Sequence, residues 1–269
     1  MTRDELEQRL AEFTQWQYRF EFDNGASTSP PDGRLINRQE QRRRYFFDAL
    51  LRVCGGSLAG HRILDLGCSA GFWSLQAIEA GADFVLGIDA REPAIEQAKL
   101  VFEAKGIDPA RYRFEQRDIF EGELTESFDV VLCLSLMSHL AKPVELFELM
   151  AGAGAELIVI ETELSRAPDS VFAVSSSSDG RRAIKHKLVL IPSREAVVEL
   201  AGEFDYNTVP LALNITDYTG LNDYRRHRRL AFFCSKSQSL AMLPVEEPAL
   251  SPWWLNALDP RRALQQLRG

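Results

Sequence analysis

Residues 62–74, Arg-Ile-Leu-Asp-Leu-Gly-Cys-Ser-Ala-Gly-Phe-Trp-Ser, constrain the fold more than any other stretch of this chain. Ile63 to Leu66 is a short apolar run of strand length. Gly67 to Gly71 is a glycine turn. Phe72 to Ala80 reads as an amphipathic helix stopped by Gly81. A second apolar run, Phe84 to Ile88, ends in Asp89. Strand, turn, helix and strand make a β-α-β unit, and such a unit demands a parallel sheet with helices on its faces.

The pattern continues. Arg91 to Lys105 carries Ala94, Ile95, Ala98, Val101 and Phe102 at helical spacing and stops at Gly106. Tyr112 to Gln116 alternates as a strand and leads to Asp118-Ile119. Phe128 to Leu134 is apolar throughout, as expected of a central strand covered on both faces. Pro143 opens a helix to about Met150, and Leu157 to Ile160 is a fifth strand ending at Glu161. Ser193 is a good N-cap for a helix through Ala201, and Tyr206 to Leu213 and Leu230 to Ser235 read as two further strands.

The flanking segments are less regular. Asp4 to about Tyr18 reads as a helix with Leu6, Leu10, Phe13 and Trp16 or Gln17 on one stripe, followed by a short extended piece, Phe20 to Gly25, and a breaker-rich loop, Ser29 to Gly33. Asn37 to Cys54 reads as another helix. Its triplet Arg42-Arg43-Arg44 is expected on a solvated face, the alternative being that one arginine or Tyr45 leans over a binding mouth. Thr162 to Lys187 is expected to be irregular, with Ser175 to Gly180 as a loop. The tail from Gln238 is proline-rich, carries Trp253-Trp254 and has a short helical stretch at Pro260 to Leu267. The expected organisation is residues 1–35 as an N-terminal helix and loop, 36–238 as the main domain with an insert at about 162–192, and 239–269 as a tail.

Composition narrows the partners. A formal charge of −8 and a pI near 5.2 weigh against bulk nucleic-acid binding. Cys54, Cys68, Cys133 and Cys234 are widely spaced and show no metal-ligand pattern, so free buried thiols and no metal are expected. The polar start and the lack of a long apolar run lead us to expect no signal peptide, no membrane partner and a cytoplasmic location.

The glycine turn has a chemistry of its own. Gly67 and Gly71 carry no Cβ, so backbone N–H groups beside a helix N-terminus can approach a ligand closely. Asp89, at the next strand end, can accept both hydroxyls of a ribose, which points to a nucleoside cofactor. Two other chemistries suit the stretch poorly. It matches G-x-S-x-G with Ser69 as a nucleophile, but it follows the first strand of the domain, and no glycine-rich oxyanion stretch precedes it. The dinucleotide fingerprint G-x-G-x-x-G fails because Ser69 and Phe72 stand at its later glycine positions.

Leu64-Asp-Leu-Gly-Cys-Ser-Ala-Gly71 closely resembles the first motif, D-x-G-C-x-x-G, of class I S-adenosylmethionine-dependent methyltransferases. Ile88-Asp89, Arg117-Asp118-Ile119 and Phe128 to Cys133 resemble that family's next three motifs, in order and at strand ends. The resemblance implies an α/β fold: a Rossmann-like, doubly wound, seven-stranded sheet, mostly parallel with an antiparallel last strand and helices on both faces. It implies S-adenosyl-L-methionine as cofactor. The cofactor-binding residues it implies are Asp65, Gly67, Cys68, Gly71, Phe72, Asp89, Ala90, Asp118, Ile119 and Leu134. Asp65 would face the amino-acid end of the cofactor, Asp89 the ribose and Asp118 the adenine.

Methyl transfer from a sulfonium is an in-line displacement of an activated group, so positioning supplies much of the catalysis. A hydroxyl acceptor gains from a base. The candidate catalytic residues are His139 after the fourth strand and Glu161 after the fifth, with His186 of the insert as a further candidate. Leu136-Met-Ser-His139, Pro143 and Leu190-Ile-Pro-Ser193 also resemble the enzymes that alkylate the wobble uridine of tRNA with a carboxylated cofactor. Here Ser138 replaces their usual tyrosine, and the helical N-terminal region is shorter. Arg181-Arg182 with Lys185-His186-Lys187, and Arg225-Arg226-His227-Arg228-Arg229, are expected as solvated or salt-bridged faces, with an anionic acceptor as the alternative. The expected activity is methyl transfer to an oxygen or nitrogen of a small molecule. The alternatives are tRNA modification and a non-catalytic cofactor-binding regulator. The sequence assigns no oligomeric state.

Overall fold

Strand β1 (Arg62–Leu66) shows why the apolar runs do not alternate with polar residues. Ile63 packs into one hydrophobic layer, while Leu64 and Leu66 pack into another on the opposite face of the sheet. Side chains alternate between faces, and both faces are covered, so Ile63, Leu64 and Leu66 are all apolar and Asp65 is the buried exception. A computed structural model gives the arrangement and describes residues 1–176 and 188–246.

The sheet continues with β2 (Phe84–Asp89), β3 (Tyr112–Gln116), β4 (Val130–Leu134) and β5 (Leu157–Glu163). The hairpin strands β6 (Phe172–Ser176) and β7 (Leu188–Pro192) stand apart from it. Strands β8 (Asn207–Pro210) and β9 (Arg229–Ser235) complete it. The seven-stranded order is β3-β2-β1-β4-β5-β9-β8. Neighbours from β3 through β5 run parallel, and β9 runs antiparallel to both β5 and β8. This is the expected doubly wound sheet with an antiparallel last strand. Its order reverses between β1 and β4, and ligands of such sheets bind beyond the strand ends at that reversal.

The helices α1 (Arg3–Ala11), α2 (Gly33–Arg42), α3 (Asp48–Val53), α4 (Phe72–Glu79), α5 (Glu92–Ala104), α6 (Pro143–Gly152), α7 (Arg194–Gly202) and α8 (Asn222–Arg225) fill the connections. Ser193 caps α7 by accepting from the Ala196 N–H at 3.1 Å, as its position before the helix predicts.

Three local expectations are corrected. The first helix is shorter than its apolar stripe suggests. A capping box of Thr2 and Glu5 starts α1, which ends at Ala11. Beyond it the chain becomes an irregular strap, because Trp16, Tyr18, Phe20 and Phe22 gain more by burial in the main core than by continuing a helix. The Trp16 indole N–H donates to the Leu10 carbonyl at 3.2 Å, which secures the turn into the strap.

The second correction concerns residues 37–54. Asp32 caps α2 several residues earlier than expected, and a π turn over Arg43–Phe47 separates α2 from α3. The extra residue of a π turn re-aims side chains. Arg42, Tyr45, Phe46 and Phe47 are all buried, so Arg42 does not sit on a solvated face.

The third is the insert. Its described residues form an antiparallel ribbon, with Val174 opposite Leu190. The Leu190 N–H donates to the Leu140 carbonyl at 3.1 Å, which seats the ribbon beside the loop after β4. Residues 177–187 and 247–269, with His186, the Arg181–Lys187 cluster, Trp253, Trp254 and the stretch Pro260 to Leu267, lie outside the described residues. Among the described residues no helix is long and apolar enough to cross a membrane.

Candidate active site

The turn after β1 is built from left-handed backbone. Gly67, Ser69 and Gly71 have φ of 70°, 52° and 74°. A Cβ on Gly67 would stand 3.2 Å from Leu136, and one on Gly71 would stand 3.1 Å from Ala98 and 3.2 Å from Phe114. Both glycines are therefore favoured by conformation, and a Cβ at either would sit in tight contact with its neighbours. The Gly67 and Cys68 N–H groups donate to the Ile88 carbonyl at 2.8 and 3.0 Å, which ties the turn to the end of β2.

Asp89 sits at that end. It accepts from the Ser69 N–H at 3.0 Å, the Arg91 N–H at 3.0 Å, and Arg91 Nε and Nη2 at 2.9 and 2.8 Å. Asp65, next to last in β1, is buried and accepts from Ser74 Oγ at 2.6 Å. Burial pushes its carboxyl up to about 7, and the negative charge of Asp89 adds to the shift. No ion pair to Asp65 occurs among the described residues. Cys68 is buried beneath the turn, where the loss of solvent raises its thiol well above the ordinary range.

The remaining expected cofactor positions ring the same strand ends. Ala90 is half-buried after Asp89, and Leu134 is the buried last residue of β4. Asp118 is exposed in the turn after β3, where it accepts from the Phe120 N–H at 3.0 Å, and Ile119 beside it is buried. Phe72 differs. It stacks on Tyr18 with centroids 4.9 Å apart and planes 8° apart, inside an aromatic cluster with Phe20 and Trp73. It packs the strap against the turn.

The strap is a part of the site that helical periodicity obscured. Ser69 Oγ donates to Gln17 Oε1 at 3.3 Å, and Gln97 Nε2 donates to the Gln15 carbonyl at 2.7 Å. An Arg9–Glu103 ion pair, 2.6 Å at its shortest, holds α1 on α5. Residues 13–20 therefore cross the glycine turn. The run Trp16-Gln-Tyr-Arg-Phe20, aromatic at every second position, was the signal for an extended, half-buried segment.

Glu161 receives a role other than that of a base. It is buried and bonded to Arg42 Nη2 at 2.9 Å, Arg229 Nη1 at 3.2 Å, Ser135 Oγ at 2.7 Å and the Tyr224 hydroxyl. Burial alone would raise its carboxyl, but Arg229 and Arg42 hold it well below the usual range. A carboxylate so held does not accept a proton near neutral pH. Asp223 extends the network to Arg38 and Arg229 at 2.6 and 2.8 Å. Ser135, with φ of 60°, is held in the left-handed region by these bonds. Arg42 was the arginine to single out in its triplet. Its guanidinium lies 5.1 Å from the Trp73 ring, and its Nε is buried with no hydrogen-bond partner among the described residues.

His139 ends a short 3-10 turn, Met137–His139, directly after β4. The Met137 and Ser138 side chains of this turn are buried, and His139 is half-buried. In the basic run up to β9, Arg229 pairs with Glu161, Arg228 with Glu163 at 2.7 Å and His227 with Glu246 at 2.8 Å, while Arg225 and Arg226 are exposed.

A family model described as a methyltransferase domain matches residues 57–201, from just before β1 to the end of α7. The chain belongs to the methyltransferase-domain family. A ubiquinone biosynthesis O-methyltransferase of Neisseria meningitidis serogroup A is 37% identical over 87 residues, 32% of this chain and 36% of the relative. The one from Bordetella avium is 27% identical over 191 residues, 64% of this chain and 77% of the relative. The first of these matches thus spans about a third of the curated relative's length. The N-terminal domain of EvdMO1, solved with SAH bound, aligns with a TM-score of 0.67 at 20% identity, covering 87% of this chain and 97% of that one. A Burkholderia thailandensis 1,6-didemethyltoxoflavin-N1-methyltransferase aligns with a TM-score of 0.55 at 17% identity, covering 74% of this chain and 80% of that one. These likenesses show that the methyltransferase domain and its flanks share one fold.

Proposed function

We propose that the protein is an S-adenosyl-L-methionine-dependent methyltransferase acting on an oxygen or nitrogen of a small molecule. The observation that carries the reading is the pairing of Asp89 with a left-handed glycine turn at the point where the sheet order reverses.

The residues present suit this cofactor. A Cβ on Gly67 or Gly71 would press on Leu136 or on Ala98 and Phe114, so the glycines let the turn pack closely there. Asp65 is buried without a charged partner among the described residues, and an ammonium group would supply one. Arg42 Nε carries a buried N–H that a carboxylate would satisfy. Asp89 would take the ribose, while Asp118, Ile119, Ala90 and Leu134 would border the adenine and the sulfonium. Cys68 lines the floor of the turn, and Phe72 seals its edge through Tyr18. When bound, S-adenosyl-L-methionine supplies a methyl group already activated on a sulfonium. His139 would accept the acceptor's proton on a ring nitrogen. Glu161 keeps Arg42 and Ser135 in place.

Of the arginines in the run up to β9, Arg228 and Arg229 are engaged with Glu163 and Glu161, while Arg225 and Arg226 are exposed. The names of the relatives, a ubiquinone biosynthesis O-methyltransferase and a toxoflavin N1-methyltransferase, support a small acceptor. Calorimetric titration with S-adenosylhomocysteine tests the donor half. Wild type is expected to bind, and Asp89→Ala is expected to weaken binding by on the order of a hundredfold, the worth of two hydrogen bonds to a charged group. Equal binding by the two proteins would sink the assignment.

A further inference from the structure

The contacts at Asp89 carry a consequence for how tightly the cofactor is held. A carboxylate offers about four lone-pair positions. All four are used here: the Arg91 N–H and Nε lie on Oδ1, and the Ser69 N–H and Arg91 Nη2 lie on Oδ2. Two of these donors belong to the backbone and are fixed by the fold. The other two belong to one side chain, and they take one position on each oxygen. Adjacent hydroxyls of a single ribose would need the same two positions.

We propose that the Arg91 side chain competes with the ribose diol for Asp89, so that Arg91 sets cofactor affinity by having to leave. This inference rests on Asp89 being the ribose acceptor. The geometry favours departure by Arg91 over any movement of Asp89. The Asp89 side chain is 6% exposed, whereas that of Arg91 is 34% exposed and opens toward solvent. Arg91 stands at the N-cap of α5 with extended backbone, φ −94° and ψ 114°, and its side chain makes no helix-capping hydrogen bond. Its long stem can rotate outward while its backbone N–H remains on Oδ1. The donors that stay, the Ser69 and Arg91 N–H groups, keep the carboxylate aimed into the cleft.

The competing arrangement costs affinity, since every binding event must first break a bidentate ion pair. It also favours product release, because Arg91 can recapture Asp89 as the ribose departs. Removing the guanidinium should therefore tighten binding, the reverse of the usual effect of deleting a charged residue from a binding site.

The test is calorimetric titration of wild type, Arg91→Met and Arg91→Lys with S-adenosylhomocysteine. Methionine keeps the length of the stem and removes both side-chain donors. Arg91→Met is expected to bind more tightly than wild type by roughly fivefold to thirtyfold, the range for an ion pair that is neither fully exposed nor fully buried. Arg91→Lys, which keeps the charge but loses the fork, is expected to fall between them. Stopped-flow release should be slower from Arg91→Met by a similar factor. Unchanged or weaker binding by Arg91→Met would overturn the proposal and make Arg91 a bystander or a direct ligand of the cofactor. Asp89→Ala separates the two ideas. If Asp89→Ala binds normally, the ribose assignment itself fails. If Asp89→Ala loses binding while Arg91→Met does not tighten it, only the competition fails.

Discussion

Asp65 and Glu161 are both buried carboxylates near the carboxyl ends of neighbouring strand systems, yet the protein treats them in opposite ways. Glu161 is clamped by Arg42, Arg229, Ser135 and Tyr224 and is held ionised. Asp65 has Ser74, and burial pushes it up to about 7. The contrast separates a carboxylate already committed to the fold's own cations from one left with capacity for a cation that the chain does not supply. In the proposed reading, the donor half of the site is built around the second kind.

The largest expected effect would break the comparison at Glu161. Glu161→Ala leaves the buried Arg42 guanidinium without its carboxylate and Arg229 with Asp223 alone, and breaking a buried pair costs about 3–5 kcal/mol. Chemical denaturation should show a loss of that order. A loss below about 1 kcal/mol would mean that the network contributes little to stability. The pH dependence has a definite sign. Because Glu161 is lowered in the folded state, its contribution is present above the ordinary carboxylate range and is lost as pH falls through and below that range.

A second test addresses the acceptor half. His139→Ala is expected to lower kcat by roughly a hundredfold or more, the usual worth of a positioned base, with little change in affinity for S-adenosylhomocysteine. Single-turnover kinetics alongside calorimetry would separate the two. An unchanged rate would leave positioning as the whole of the catalysis.

The smallest effect sharpens the comparison at Asp65. Its folded value of about 7 lies above the ordinary value of 3.8, so Asp65 has the opposite linkage to Glu161. The stability it contributes is present below about pH 4 and is lost as pH rises toward 7. An ammonium ligand favours the ionised form, so cofactor affinity should rise with pH by up to about tenfold per unit below 7 and then level off. Titrations in buffers of different ionisation enthalpy should register proton release on binding near pH 6. Affinity that is flat from pH 5.5 to 8 would show that Asp65 does not meet the ammonium group.

The parts of the molecule readable from residues alone share one property: they are local. Glycines at Gly67 and Gly71 announce left-handed backbone because other residues resist it. Apolar runs ending in Asp65-Leu66, Asp89 and Leu134 announce strands covered on both faces, and their alternation with helices determines a doubly wound sheet. The positions of Asp89 and His139 at strand ends follow from that reading. What only the tertiary structure decided depends on partners distant in the chain. Arg42 looked like one of three solvated arginines until the fold set it against Glu161, 119 residues away. Trp16 to Tyr18 looked helical until the core offered burial to an extended strap. Glu161 looked like a base until Arg229 and Tyr224 closed on it. A carboxylate's charge and its availability are set by the groups packed around it. For buried ionisable residues those groups come from the whole fold, so their identity is written in the sequence while their chemistry is decided by its packing.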